Sequence, residues 1–214
     1  MNRVLIVSKT RMTSRAVCVG GVDLDNRKSL RLLYWQGQQE SFTDCPYNIR
    51  DIWEMDYRHE PQSPLPHSED VCVTVRKIYG RLSAEIRLID ILQKLNFQIY
   101  RDDIRNTFEA KLQATDSGIF YISHLAIPYR STCFWICDRN LWRNDVNQKI
   151  RFRYDDGSRI WGYHITYVGV EERPPQIIPQ NTLLRLSLAR WWAPDRSKEA
   201  ERCYLQFSGW YDLP

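Results

Sequence analysis

Residues 149–168 alternate cationic and apolar side chains, a pattern that could bind phosphate. Lys149, Arg151 and Arg153 are two residues apart, so an extended strand would direct all three to one face. Cations buried without partners are costly, and these side chains must therefore meet water, acidic groups or phosphate. The simplest alternative is an outer face that contacts only solvent.

The dipeptide Asp156-Gly157 predicts that this segment folds as a β-hairpin with a two-residue turn. Both central residues of a type I′ turn need positive φ, which Gly adopts without cost and Asp tolerates. Counting outward from the turn places Tyr154 opposite Arg159 and Phe152 opposite Trp161. The predicted aromatic face, which should join the core, comprises Ile150, Phe152, Tyr154, Trp161, Tyr163 and Ile165. The opposite face comprises Lys149, Arg151, Arg153, Gly162, His164 and Thr166.

Two adjacent Trp residues form a second candidate contact. Trp191 and Trp192 precede Ala193-Pro194, and the Pro should end the strand before them. Neighbouring side chains of an extended chain point in opposite directions, so one ring should turn away from whatever the other packs against. Both rings could instead be buried in the end of a barrel. An exposed ring would offer a stacking surface for a nucleic-acid base.

A second group of cations lies near the N-terminus. Lys9, Arg11 and Arg15 fall in or beside the connection after the first predicted strand. They could contact a polyanionic ligand, or form salt bridges within the protein to Glu69 and Asp70. The sequence leaves both alternatives open.

The segment HSEDV raises the alternative of catalysis. His67 stands beside Glu69 and Asp70, and such a His can be a proton shuttle or a metal ligand in an enzyme acting on nucleic acid or a nucleotide. The sequence contains no Gly-rich phosphate loop, nucleophile elbow or HExxH motif. We therefore predict no catalytic residue, no cofactor and no metal site.

Composition narrows the class of protein. With 43% hydrophobic and 26% charged residues, the 214-residue chain is typical of globular proteins and unlike disordered, collagen-like or membrane proteins. Aromatic residues make up 13% of the chain, which favours β-structure because large rings fit a pleated sheet. The net charge of +4 is mild, so local clusters of cations matter more than the total.

The cellular compartment is predicted from the termini and the cysteines. The N-terminal apolar run is too short for a signal peptide, and no segment approaches 18 apolar residues. Most of the six cysteines lie in strand-like apolar runs, as small buried residues do. Cys133 and Cys137 would be roughly 13 Å apart in a strand, too far for one zinc ion. We predict a cytoplasmic protein with reduced thiols and no membrane contact.

Hydrophobic periodicity predicts two β-rich halves. Five strands precede residue 80, and the pair Gly20-Gly21 predicts a bulge or sharp bend that lets a strand curl into a barrel. The period then changes to that of an amphipathic helix over residues 83–95, with Ser83 as its N-cap, and a second helix over residues 103–112. Strands resume after Gly118. The predicted fold is mainly β, with barrels at residues 1–80 and 115–214 and a helical insert at 81–114.

Six short motifs are spread along nearly the whole chain: RVLIVSKTRM (3–12), VCVGGVD (17–23), DIWE (51–54), HSEDV (67–71), LSLAR (186–190) and RCYLQFSGWY (202–211). Together with the order of elements, they resemble the dual OB-containing domain family. The resemblance implies two small OB-like barrels in tandem joined by helices, a bacterial origin, and a place in a multi-subunit complex such as an antiviral defence system. It implies no catalytic residue.

The expected partner is nucleic acid, bound without catalysis. OB folds bind along strands 2 and 3 and between two flanking loops. Single strands are favoured, although the sequence does not distinguish RNA from DNA. The candidate contacts are Lys9, Arg11, Arg15, Lys149, Arg151, Arg153, Trp191 and Trp192. The alternative is a protein-interaction adaptor that docks a partner on exposed aromatics such as Trp192 and Trp210.

Overall fold

The computed structural model describes residues 1–12, 16–34, 37–145, 148–171, 173–193 and 200–211. The chain divides into two compact units. The first comprises Met1–Pro64 and Ser68–Phe97, and the second comprises Leu65–His67 and Gln98–Pro214.

The first unit is a closed β-barrel. Its strands pair in the order β1-β5-β6-β3-β2, and β2 pairs back onto β1 to close the ring, with β3 and β6 parallel. The short β4 pairs only with β2. Without β4, the five strands follow the order 1-2-3-5-4-1 of an OB fold. The strands are β1 (Asn2–Arg11), β2 (Ala16–Asp23), β3 (Lys28–Leu33), β4 (Glu40–Ser41), β5 (Asp51–His59) and β6 (Asp70–Arg81).

A bulge bends β1 so that it can pair with two neighbours. Its register against β2 shifts between Ile6 and Ser8, opposite Gly20 and Gly21, which confirms the bulge predicted from the glycine pair. A Cβ atom at Gly21 would lie 2.6 Å from a methyl group of Val4, so a side chain there would collide with the barrel core. The lack of a side chain at Gly21 therefore permits the close approach on which barrel closure depends.

The helices are shorter than the sequence predicts. The only α-helix among the described residues is α1 (Leu88–Lys94), and its N-cap is Arg87, so the prediction of Ser83 as N-cap was wrong. Arg50 donates from its guanidinium to the carbonyl oxygens of Ser83 and Ile86, which holds residues 83–86 in a turn. The helix begins only beyond that turn.

The second predicted helix, at residues 103–112, is replaced by two short 3₁₀ turns, Ile104–Asn106 and Phe108–Ala110. Thr107 separates them because its hydroxyl donates back to the carbonyl oxygen of Ile104 at 2.6 Å. Ile104 and Phe108 nevertheless pack in the core, as the apolar spacing predicted. None of the helices in the described parts of the chain is long and apolar enough to cross a lipid bilayer.

The second unit is a curled sheet built on the same strand order. Ten strands contribute to it: β7 (Ile99–Tyr100), β8 (Gln113–Ala114), β9 (Phe120–Ser123), β10 (Thr132–Ile136), β11 (Leu141–Arg143), β12 (Arg151–Tyr154), β13 (Tyr163–Tyr167), β14 (Ile177–Ile178), β15 (Leu183–Leu188) and β16 (Arg202–Tyr211). The central path runs β11-β12-β13-β16-β15-β10, with β13 and β16 parallel.

The two ends of this path are consecutive in the sequence. In the first unit, β1 pairs with both β5 and β2. In the second unit, β10 makes the first of these pairings, with β15, and β11 makes the second, with β12. Residues 137–140 connect β10 to β11, so the chain itself joins the two ends of the curled sheet where the first unit has one continuous strand. Both units thus confirm the predicted mainly β fold with two OB-like barrels.

Candidate nucleic-acid interface

The predicted hairpin forms between β12 and β13, but its register differs from the prediction. The connection covers residues 155–162 instead of the two residues Asp156 and Gly157, so the predicted tight turn and its pairs were wrong. The observed pairs are Arg151 with Thr166, Phe152 with Ile165, Arg153 with His164, and Tyr154 with Tyr163.

A tertiary contact explains the longer connection. The carboxylate of Asp156 is almost fully buried and pairs with the guanidinium of Arg105 at 2.7 Å, far from the position it would take in a tight turn. Farther along the loop, Arg159 donates to the carbonyl oxygen of Asp116. Both partners lie more than 40 residues away in the sequence, so a prediction from local turn propensity does not include these contacts.

The predicted separation of faces survives the change in register. The pairing is displaced by four residues, an even number, and side chains of a strand alternate with a period of two. Phe152, Tyr154, Tyr163 and Ile165 therefore still enter the core. Trp161 is the exception, because it lies in the loop and its side chain is 78% exposed rather than buried.

One row of the outer face joins aromatic and basic residues across three strands. Trp142 of β11 is directly opposite Arg153 of β12, which in turn is opposite His164 of β13. Trp142 is 51% exposed. The sequence analysis missed this Trp because β11 is only three residues long. The signal that could have identified it is the alternation of a strand, in which Leu141 is buried and Trp142 is exposed.

The same face continues onto β16 and β9. Thr166 of β13 pairs with Gln206, and Tyr204 on the same side of β16 pairs with Tyr121 of β9. The guanidinium of Arg202 lies 4.5 Å from the ring centroid of Tyr121. We call this surface the aromatic-basic face and define it by Trp142, Arg151, Arg153, His164, Thr166, Gln206, Tyr204, Tyr121, Arg202 and Trp192.

The two predicted Trp residues separate, as expected of neighbours in an extended chain. Trp192 pairs with Arg202, lies 6.0 Å from Tyr204 between ring centroids, and is 52% exposed at the edge of the aromatic-basic face. Trp191 instead stacks on His124 at 3.8 Å and packs against the core. Only Trp192 of the pair offers a ring to a ligand.

The charges of the face are unevenly neutralised. Arg153 pairs with Asp155 at 2.5 Å, whereas Arg151 forms no ion pair with any residue that the structure describes. Lys149 is exposed beside the start of β12. Burial lowers the pKa of His164, and the charges of Arg151 and Arg153 lower it further. The imidazole is therefore neutral near pH 7.

Two of the cations predicted in the first unit lie at the end of its first strand. β1 ends at Arg11, so Lys9 and Arg11 lie beside the connection that follows it. The guanidinium of Arg11 lies 4.8 Å from the ring centroid of Phe42. Arg15 lies outside the described residues.

The acids of the HSEDV segment are part of the packed structure. Asp70 is 1% exposed, and its carboxylate accepts hydrogen bonds from Arg31 and from the hydroxyl of Ser63. Glu69 and His67 are also buried. The sequence analysis missed Arg31, whose place beside Asp70 depends on the parallel pairing of β3 with β6.

The aromatic-basic face has the chemistry of a single-strand binding surface. Cations at its centre can contact phosphates, and half-exposed Trp rings at both ends can stack on bases. From β11 through β12, β13 and β16 to Trp192 there are four strand-to-strand steps, or about 19 Å along the curved sheet. That length corresponds to a few nucleotides, near the lower end of site sizes for one OB fold.

Comparison with known proteins supports the architecture. The family model for a dual OB-containing domain matches residues 2–210, nearly the whole chain. No curated protein and no solved structure matches the chain.

Proposed function

This chain belongs to the dual OB-containing domain family, and we propose that it binds single-stranded nucleic acid on the aromatic-basic face of its second unit. One observation carries the proposal. Trp142, Arg153 and His164 are aligned across three adjacent strands, so an exposed aromatic ring lies beside a guanidinium and an imidazole. β12 and β13 are the second and third strands of this OB order, where OB folds bind their ligands.

Single strands suit this face better than a duplex. Trp142 and Trp192 offer ring faces to bases, and a duplex hides its bases in the stack. Each base stacked on an exposed ring contributes about 1–3 kcal/mol. Three phosphates neutralised by Lys149, Arg151 and Arg153 would give a salt slope of about −2.

Such a face gives modest affinity by itself. This supports a role as the nucleic-acid-binding subunit of a larger complex, such as a bacterial defence system. A partner that brings further contacts would raise the affinity by increasing the effective concentration.

Fluorescence anisotropy tests the proposal with single- and double-stranded DNA and RNA across a salt series. We expect the wild type to bind single strands best, with affinity falling by at most about 20-fold between 50 and 200 mM salt for three phosphates. The variant Arg151→Gln/Arg153→Gln should keep one such contact and fall only about threefold over the same range.

The matched control changes two exposed lysines of the first unit, as Lys28→Gln/Lys94→Gln, which removes the same charge. It should bind like the wild type. Equal losses in both double variants would show that net charge, rather than this face, attracts the ligand. Absence of binding to every oligonucleotide at low salt would refute the proposed function.

A second candidate function is docking of a protein partner. Ile160 and Trp161 are 84% and 78% exposed in the 155–162 loop, and a pair of large apolar side chains at a fixed loop is typical of an interaction hot spot. A stoichiometric partner that co-purifies at high salt and is lost with Ile160→Ser/Trp161→Ser would favour this function.

A further inference from the structure

Arg153 holds both ends of the 155–160 segment. Its Nη2 contacts the carboxylate of Asp155 at 2.5 Å and donates to the carbonyl oxygen of Ile160 at 3.4 Å. Asp155 also accepts a hydrogen bond from the backbone of Gly157 at 3.1 Å. A single guanidinium therefore links the centre of the aromatic-basic face to the loop that carries Ile160 and Trp161.

The Asp155 carboxylate has the chemistry of a phosphate at this position. Both groups are anions that accept hydrogen bonds from guanidinium, and both favour the same planar fork of donors. The side chain of the neighbouring Arg151, on the same face, forms no ion pair with a carboxylate of the described residues. Of the two arginines, Asp155 therefore pairs only with Arg153.

We propose that Asp155 is a built-in competitor that a phosphate of the bound strand displaces from Arg153. The inference rests on the proposed function and describes how that site is regulated. When Asp155 leaves, Arg153 turns to the phosphate and no longer holds Ile160.

The exposure of the pair makes this exchange feasible. The side chains of Arg153 and Asp155 are 35% and 42% exposed, and ion pairs in such positions contribute little because water screens them. Displacing the carboxylate should therefore reduce affinity by only about two- to fivefold. A ligand without phosphate, such as a peptide nucleic acid, gains nothing from the exchange.

The variant Asp155→Asn tests the competition. It should bind a single-stranded oligonucleotide about two- to fivefold more tightly than the wild type, because Arg153 is released in advance. Its salt slope should reach the full value of about −2 for three phosphates, whereas that of the wild type should be shallower by up to about 0.7, because the displaced carboxylate recovers a counterion.

The chain contains a control ion pair in the first unit. Arg87 and Asp90 form an exposed pair at 2.7 Å, and neither residue belongs to the aromatic-basic face. Asp90→Asn removes the same charge and should leave the salt slope unchanged. In an Arg153→Gln background, Asp155→Asn should no longer increase affinity.

The outcomes separate this inference from the proposed function. If the wild type binds and Asp155→Asn is indistinguishable from Asp90→Asn, the competition is wrong while the proposed binding face stands. If no form of the protein binds any oligonucleotide, the proposed function itself is refuted. Asp155→Ser serves as a second variant, and thermal unfolding checks that each protein is folded.

Discussion

Replacing Trp142 tests the residue that places the aromatic ring beside Arg153. A base stacked on one exposed ring contributes about 1–3 kcal/mol, so Trp142→Ala should weaken oligonucleotide binding by about five- to 150-fold. Stacking is not an ionic interaction, and the salt slope should therefore stay that of the wild type. Trp142→Phe keeps a flat ring and should retain most of the affinity.

The same substitution has a cost in stability that must be measured separately. A fully packed Trp buries about 200 Å². Trp142 is 51% exposed, and its loss removes about 100 Å² of contact, equivalent to at most about 2.5 kcal/mol of unfolding free energy. Unfolding by denaturant measures this loss of stability. Anisotropy is then measured without denaturant, at a temperature well below the midpoint of thermal unfolding.

The control is Tyr79→Ala, which removes an aromatic side chain that is 58% exposed in the first unit and is not one of the residues that define the aromatic-basic face. It should bind like the wild type. Unchanged affinity in folded Trp142→Ala would show that the ring does not contact the ligand. A loss that is equal for Tyr79→Ala would show that the effect is not specific to this face.

Two further predictions concern the neighbours of Arg153. His164 is neutral near pH 7 because burial and the charges of Arg151 and Arg153 lower its pKa, and a bound phosphate would raise that pKa. Affinity for the oligonucleotide should therefore increase as pH falls from 7.5 to 5.5. The variant His164→Gln should remove this increase, and the control His124→Gln should retain it. A wild type whose affinity does not change with pH would contradict the coupling of His164 protonation to phosphate binding. A Cβ atom at Gly162 would lie 2.8 Å from the carbonyl oxygen of Tyr154 and 3.1 Å from Nε of Arg153, at a φ of +62°. Gly162→Ala should lower the unfolding free energy by about 1–3 kcal/mol and weaken binding, as measured by denaturation and anisotropy. Gly157 has a similar φ of +77°, but a Cβ atom there would have no atom within 4 Å. Gly157→Ala should therefore lower the stability without lowering the affinity. Equal losses of binding in Gly157→Ala and Gly162→Ala would refute the role of the contact with Arg153.

Local pattern predicted most of the strands and the separation of the two faces. Alternation within KIRFRY predicts that Phe152 and Tyr154 are buried opposite Arg151 and Arg153, because side chains of a strand alternate whatever the register. The glycine pair likewise predicts the bulge in the first barrel, since backbone proximity requires small residues. These features depend on covalent geometry and near neighbours in the chain.

Long-range contacts decided which residues form the aromatic-basic face. Trp142 reaches Arg153 through the pairing of β11 with β12, and Trp192 reaches Tyr204 across the sheet. The loop at residues 155–162 has its length because Asp156 pairs with Arg105 rather than forming a tight turn. The sequence by itself determined the fold class, the alternation of each strand and the presence of basic and aromatic residues. Only the tertiary structure decided which of these residues are neighbours, because strand order and ion pairs join positions that are distant in sequence.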